Sequence, residues 1–201
     1  MDKLVQMMRV AFATNFTYYL EAHNAHWNVL GPDFPQYHKF LNEVYDDAQD
    51  AIDDYAEQLR RIGGFPQGDI KEIIANSAII DPPLNQLTES KPMFLALLAD
   101  TNTMVAHLQD TYDEAGKQRE YGLQNFIADR IDEHRKQQWM ITASVVDEED
   151  YIVPGTTPPP KDPSEYCHNM RNPQTGQMVE VENPEEHQAA IDAGFTEEVK
   201  E

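Results

Sequence analysis

The sequence predicts an all-α protein built on a bundle of four long helices, and three features carry that reading. Apolar residues recur every three or four positions over four stretches of roughly 25 residues each. A Gly-Pro turn separates the first two stretches so closely that they must fold back as a hairpin. A connector rich in Pro, Gly, Asn and Ser, residues 65–90, is long enough to carry the chain across the bundle before the third begins. The first helix is expected from Lys3 to about Val29, where Leu4, Met7, Met8, Val10, Ala11, Phe12, Phe16, Tyr19 and Leu20 follow helical spacing without proline or glycine. Gly31-Pro32 stops it, and the pattern resumes near Pro35 or Gln36 and runs to Gly63-Gly64. Within the connector, IKEIIAN (70–76) predicts one short helix. Phe94, Leu97, Leu98, Met104, Val105, Leu108 and Tyr112 mark a third long helix over about 91–115. The fourth runs over about 121–146 and includes Phe126, Ile131 and Trp139.

After Val146 the composition changes to the acidic run DEED (147–150) and then to VPGTTPPPKDP, a stiff spacer. The bundle is thus expected over 1–146, a linker over 147–164 and a small module over 165–201. In that module, HNMRNPQTGQMVEVEN reads as a hairpin around Pro-Gln-Thr-Gly. In NPEEHQAAIDAG, Asn183 reads as an N-cap, Pro184 as the first helical residue, Glu186 as the capping-box partner and Gly194 as a stop. A unit this small needs a surface to dock on, either the bundle or a partner protein.

Composition narrows the function. The 201 residues include 15 basic and 36 acidic side chains, a net charge of −21. Residues 147–201 alone hold 14 acidic and three basic groups. Such a charge repels phosphate backbones and attracts cations, so direct DNA binding is not expected. No run approaches the roughly 20 apolar residues of a membrane span. Cys167, the single cysteine, excludes an intrachain disulfide, and the N-terminus shows no separate apolar leader region, which together predict a cytoplasmic protein.

The chemistry concentrates in HNAHWNVLGPDFPQYHKFLN, residues 23–42. His26 precedes the turn by about as many residues as His38 follows it, so in an antiparallel hairpin the two imidazoles fall at one height. Farther along the second helix, Asp53 and Glu57 are four apart and share a face. Two imidazoles and two carboxylates suit iron, zinc or manganese. One chain cannot unite them, because fifteen residues of helix separate His38 from Asp53 by roughly 22 Å. Two copies of the second helix packed antiparallel about a two-fold axis would bring His26 and His38 of each subunit to Asp53 and Glu57 of the other. For single residues the plainer roles remain: DDAQDAIDDYAE (46–57) could be a solvated face, and nothing in the pattern requires His23 to touch metal.

HNAHWNVLGPDFPQYHKFLNEVYDD followed by DDYAEQL resembles the ferroxidase signature of Dps-type miniferritins, members of the ferritin-like superfamily. RIDEHRKQQWMITAS (130–144) resembles the family's last bundle helix, so the likeness covers about residues 1–146. The resemblance implies metal ligation by His26, His38, Asp53 and Glu57 and a dodecameric cage of two-fold dimers. It also implies iron, Fe(II) and Fe(III), as the metal: Fe(II) is oxidised between subunits, preferentially by hydrogen peroxide, and stored as ferric mineral, protecting against oxidative damage. It places Trp27 beside the site, where plain helix packing is the alternative.

One position departs from the family pattern. Asn42 stands where an Asp is usual, and the neighbouring Glu43 points about 100° away. An amide oxygen coordinates weakly and adds no charge, so a weaker second iron position and slower oxidation are expected.

Two other metal readings fail on spacing. A one-chain di-iron bundle needs two inward Glu-x-x-His motifs, and only Glu165-Tyr-Cys-His168 has that spacing, outside the bundle. Cys167, His168 and His187 lack the fourth ligand of a closed zinc site. The alternative to a ferroxidase is a structural or adaptor shell with a decayed metal site, its C-terminal extension binding a partner protein.

Overall fold

The computed structural model describes residues 2–79, 87–145, 168–172, 175, 178–181, 186, 189–190, 192–193 and 196–197. The chain divides into two compact units, Met1–Val145 and Val146–Glu201. The first contains the helices α1 (Asp2–Asn28), α2 (Phe34–Arg61), α3 (Ile70–Asn76), α4 (Ser90–Gln118) and α5 (Tyr121–Val145). The four long ones form the expected bundle, and α3 is the short helix in the crossover.

On α1, Leu4, Met8, Ala11, Tyr18, Ala22 and Ala25 form the buried stripe, which Val29 continues just past the helix end, and α2 answers with Leu41, Val44, Ala48, Ala51, Tyr55 and Leu59. Asn15 falls in the same stripe, and its Nδ2 donates to the Ala48 carbonyl at 2.8 Å, which removes the cost of burying the amide. Gly31 makes the hairpin turn with a φ of +135°, a conformation that a side chain disfavours. At its far end α2 closes with Gly63 at φ +82°, Gly64 N–H donating back to the Leu59 carbonyl.

Hydrogen bonds pin the crossover to α1 and to the turn that follows it. Ala78 N–H donates to Thr14 Oγ1 at 2.9 Å, and Leu30 N–H to the Thr88 carbonyl at 2.8 Å. Asp69 caps α3 by accepting from Lys71 N–H. Among the described residues no helix is long and apolar enough to cross a membrane.

The second unit holds a three-stranded sheet in the order β2-β1-β3, with β1 at His168–Arg171, β2 at Met178–Val181 and β3 at Thr196–Glu197. The expected hairpin pairs His168 with Val181 and Arg171 with Met178. The third strand had no sequence signal: two residues are too few to show alternation, and β3 forms by pairing with the free side of β1. Residues 186, 189, 190 and 192 are helical, with Ala193 N–H donating to the Ala189 carbonyl. The linker at 147–164, Glu165, Cys167, Asn183, Pro184, His187 and Gly194 lie outside the described residues.

Candidate metal centre

The α1–α2 hairpin brings His26 and His38 together as its antiparallel geometry demands. Their rings stack with centroids 3.7 Å apart and planes 21° from parallel. Each Nδ1–H donates to the other residue's backbone carbonyl at 2.9 Å. A carbonyl only accepts, so the proton on each ring sits at Nδ1, and Nε2 is left without a hydrogen-bond partner among the described residues. Metal-binding imidazoles are commonly oriented in this way, the outer N–H held by a carbonyl while the inner lone pair points outward.

The surroundings are aromatic. His23 lies between Trp27, at 4.2 Å, and Tyr45, stacked at 4.1 Å, and its Nδ1 is 3.3 Å from the Tyr19 hydroxyl. Burial and the neighbouring His26 push the His23 pKa down, opposed by the Asp46 carboxylate. Trp27 is 63% exposed, so it does not serve the chain's own core. Phe34 stacks on His38 at 5.0 Å.

Asn42 is held at both ends of its amide: Oδ1 accepts from the Tyr45 hydroxyl at 3.0 Å, and Nδ2 donates to Asp46 Oδ2. Glu43 points outward beside Lys39. Asp53 and Glu57 are exposed farther along α2. Asp53 borders an open groove with Phe12, Gln49 and Pro66, and Glu57 pairs with Arg61 at 3.2 Å. Among the described residues no three His, Cys, Asp or Glu side chains of one chain converge to hold a metal. The imidazole pair, shared by α1 and α2, and the carboxylate pair, farther along α2, thus stay apart within one chain.

Sequence reasoning overlooked Tyr45 and Asp46. The usable signal was their spacing, three and four residues after Asn42, which puts all three on one helix face. The adjacent Asp46 and Asp47 diverge by about 100°, and Asp47 turns into the bundle to pair with Arg130 at 2.6 Å.

Residues 8–149 match the family model described as the ferritin-like domain. An uncharacterised low temperature-induced protein of Nostoc sp. is 24% identical over 157 residues, 78% of this chain and 86% of its own length. The DNA protection during starvation protein of Helicobacter pylori is 26% identical over 141 residues, 70% of this chain and 97% of its own. Among solved structures, the Dps protein of Vibrio cholerae, described as a member of a broad superfamily of ferritin-like diiron-carboxylate proteins, superposes with a TM-score of 0.68 at 22% identity. That superposition covers 72% of this chain and 90% of the other. The chain belongs to the ferritin-like family, and its relatives include Dps proteins.

Proposed function

We propose that this chain is a miniferritin subunit that binds Fe(II) at sites shared across a two-fold axis, oxidises it with hydrogen peroxide and stores the ferric product within a dodecameric cytoplasmic cage. The observation that carries the proposal is the His26–His38 pair, two imidazoles fixed through Nδ1 with both Nε2 atoms free. The carboxylates it lacks lie on the same arc of α2. At 100° per residue, His38, Asn42, Asp53 and Glu57 fall within about 100° of one another. Antiparallel packing of two α2 helices would set His26 and His38 of one protomer against the partner's Asp53 and the partner's Glu57.

The exposed apolar residues support that arrangement. Trp27, Leu30 and Phe34 crowd the turn end of the hairpin, and Phe65, Ile70 and Ile74 crowd the other, exposures running from 39% to 66%. In a head-to-tail pair each end would cover the other and remove both patches from water.

In this reading iron is the substrate. Asp53 and Glu57 neutralise the charge that grows as Fe(II) becomes Fe(III), and the imidazoles hold the ions next to one another. Two Fe(II) each give one electron to hydrogen peroxide. Its O–O bond breaks, and with two protons it leaves as two waters, so no hydroxyl radical is released. The net charge of −21 favours cation entry and disfavours DNA contact, so we do not extend the DNA-protection role in the Helicobacter pylori protein's name to this chain. Residues 165–201, joined through the 147–164 linker, would be displayed as a contact module for a partner protein.

The test is anaerobic Fe(II) oxidation by hydrogen peroxide on protein sized by light scattering. Wild type should oxidise iron as a particle of roughly twelve subunits, and Asp53→Ala should keep the size and lose the oxidation. An intact cage with no activity above Asp53→Ala would instead favour a structural shell.

A further inference from the structure

The loss of a carboxylate at position 42 leaves a charge deficit that the neighbouring residues can make good. Asn42 does not offer its amide oxygen freely, because Tyr45 donates to it. Its Nδ2 is spent on the carboxylate of Asp46. Side chains on a helix lean toward its N-terminus, so the Asp46 carboxylate is carried back over the turn that Asn42 occupies, toward His38. The same Asn42 amide ties Asp46 to Tyr45, whose ring stacks on His23 and meets His26 edge-on at 5.0 Å. On the α2 arc it sits about 80° from His38, between Asp53 and Glu57. It is exposed and enters no ion pair among the described residues. Its neighbour Asp47 has no such freedom, being clamped by two Arg130 nitrogens and by Gln137.

We propose that Asp46 supplies the carboxylate of the second Fe(II) position in each shared site and that Asn42, hydrogen-bonded to it, orients it as a positioning residue. This rests on the shared-site reading above and changes its ligand set. The second ion is held by a carboxylate one helical turn farther along α2 than the family pattern has it, and Asn42 becomes a support for that carboxylate in place of a failed ligand.

The experiment uses Zn(II) as a redox-inert probe, titrated calorimetrically into the full-length metal-free protein. Wild type should take up a tight equivalent and a weaker second one at each site. Asp46→Asn should keep the first and lose the second. Asn42→Ala should retain both, with the second at least about tenfold weaker, as expected when an orienting hydrogen bond to a ligand is removed. Asn42→Asp combined with Asp46→Asn should restore the second, because the carboxylate returns to position 42. If Asp46→Asn binds both equivalents as wild type does, Asp46 is not a ligand, while the shared site stands provided His26→Ala still abolishes the tight equivalent. If His26→Ala leaves binding unchanged, the shared-site reading fails and this inference fails with it. Asp46 is exposed, so Asp46→Asn is expected to fold and assemble, and its particle size checks this.

Discussion

Two regions of the bundle contain histidine among aromatic and carboxylate groups, and they treat it in opposite ways. At the hairpin turn, His26 and His38 are half-buried, locked through Nδ1 and open at Nε2. In the bundle interior, His134 is fully buried against the edge of Tyr18, its Nδ1–H donating to Gln137 Oε1 at 3.2 Å and its Nε2 without a partner. The interior has carboxylates too. Asp47 is closed off by Arg130, however, and burial together with the Arg130 charge pushes the His134 pKa down to about 4. A permanent guanidinium paired with the inward carboxylate repels a cation. The comparison teaches that this bundle closes its interior histidine and carboxylate with an arginine, and leaves the Nε2 atoms of the hairpin imidazoles, which we propose as ligands, unengaged.

The largest expected effect of breaking the contrast is at the interior ion pair. Burial opposes ionisation of Asp47, but the Arg130 hydrogen bonds and charge outweigh it and hold its pKa below the usual carboxylate value. Arg130→Met should therefore leave a half-buried charge unpaired and cost on the order of 3 kcal/mol in urea unfolding. The His26–His38 pair, on the other side of the hairpin, should still bind Zn(II) in the folded fraction.

A smaller effect separates the interior by pH. Burial, reinforced by the Glu21 carboxylate, pushes the Asp100 pKa from 3.8 up to about 7. Between these values the native chain holds a proton that the unfolded chain has released, so Asp100 lends stability as pH falls. His134 has the opposite sign: its native pKa of about 4 lies below the ordinary 6.5, so its share of stability is present above 6.5 and is lost as pH falls toward 4. Each slope is at most about 1.4 kcal/mol per pH unit, and over the shared window they offset. Asp100→Asn should expose the His134 slope, giving a melting temperature that drops on acidification from pH 6.5 to 4.5. His134→Gln should expose the other, giving one that rises.

The smallest effect on the folded chain belongs to Trp27. Because it is largely exposed, Trp27→Ala should change subunit unfolding by less than about 0.5 kcal/mol. If the turn end is an interface, the same change should raise the dissociation constant of the assembly at least about tenfold, as truncation of a buried aromatic anchor does. Analytical ultracentrifugation over a dilution series reads it.

Much of the bundle was legible because its signals are local and repeated. Apolar periodicity gave the four long helices to within about three residues at each end, and IKEIIAN gave α3. The height of His26 opposite His38 followed from turn length alone. Their reciprocal Nδ1 bonds did not, since those depend on ring orientation and on backbone carbonyls that no pattern of residue types records. Asn42 was visible as a missing charge, but its hydrogen bond to Asp46 was hidden in a run of acidic residues whose faces separate only once the helix is built. The third strand of the sheet was invisible for a related reason, being defined by its partner and not by its own two residues.

The central claim is that the site is completed by a second subunit, and co-assembly of two defective chains tests it most directly. His26→Ala and Asp53→Ala subunits, each unable to oxidise Fe(II) alone, are unfolded together, refolded in equal amounts and assayed with hydrogen peroxide. In a mixed two-fold dimer one site receives both substitutions and the other receives neither. With half the dimers mixed and one of two sites intact in each, the account predicts recovery of about one quarter of wild-type activity. A mixture that forms particles of wild-type size and stays as inactive as its parents would contradict it.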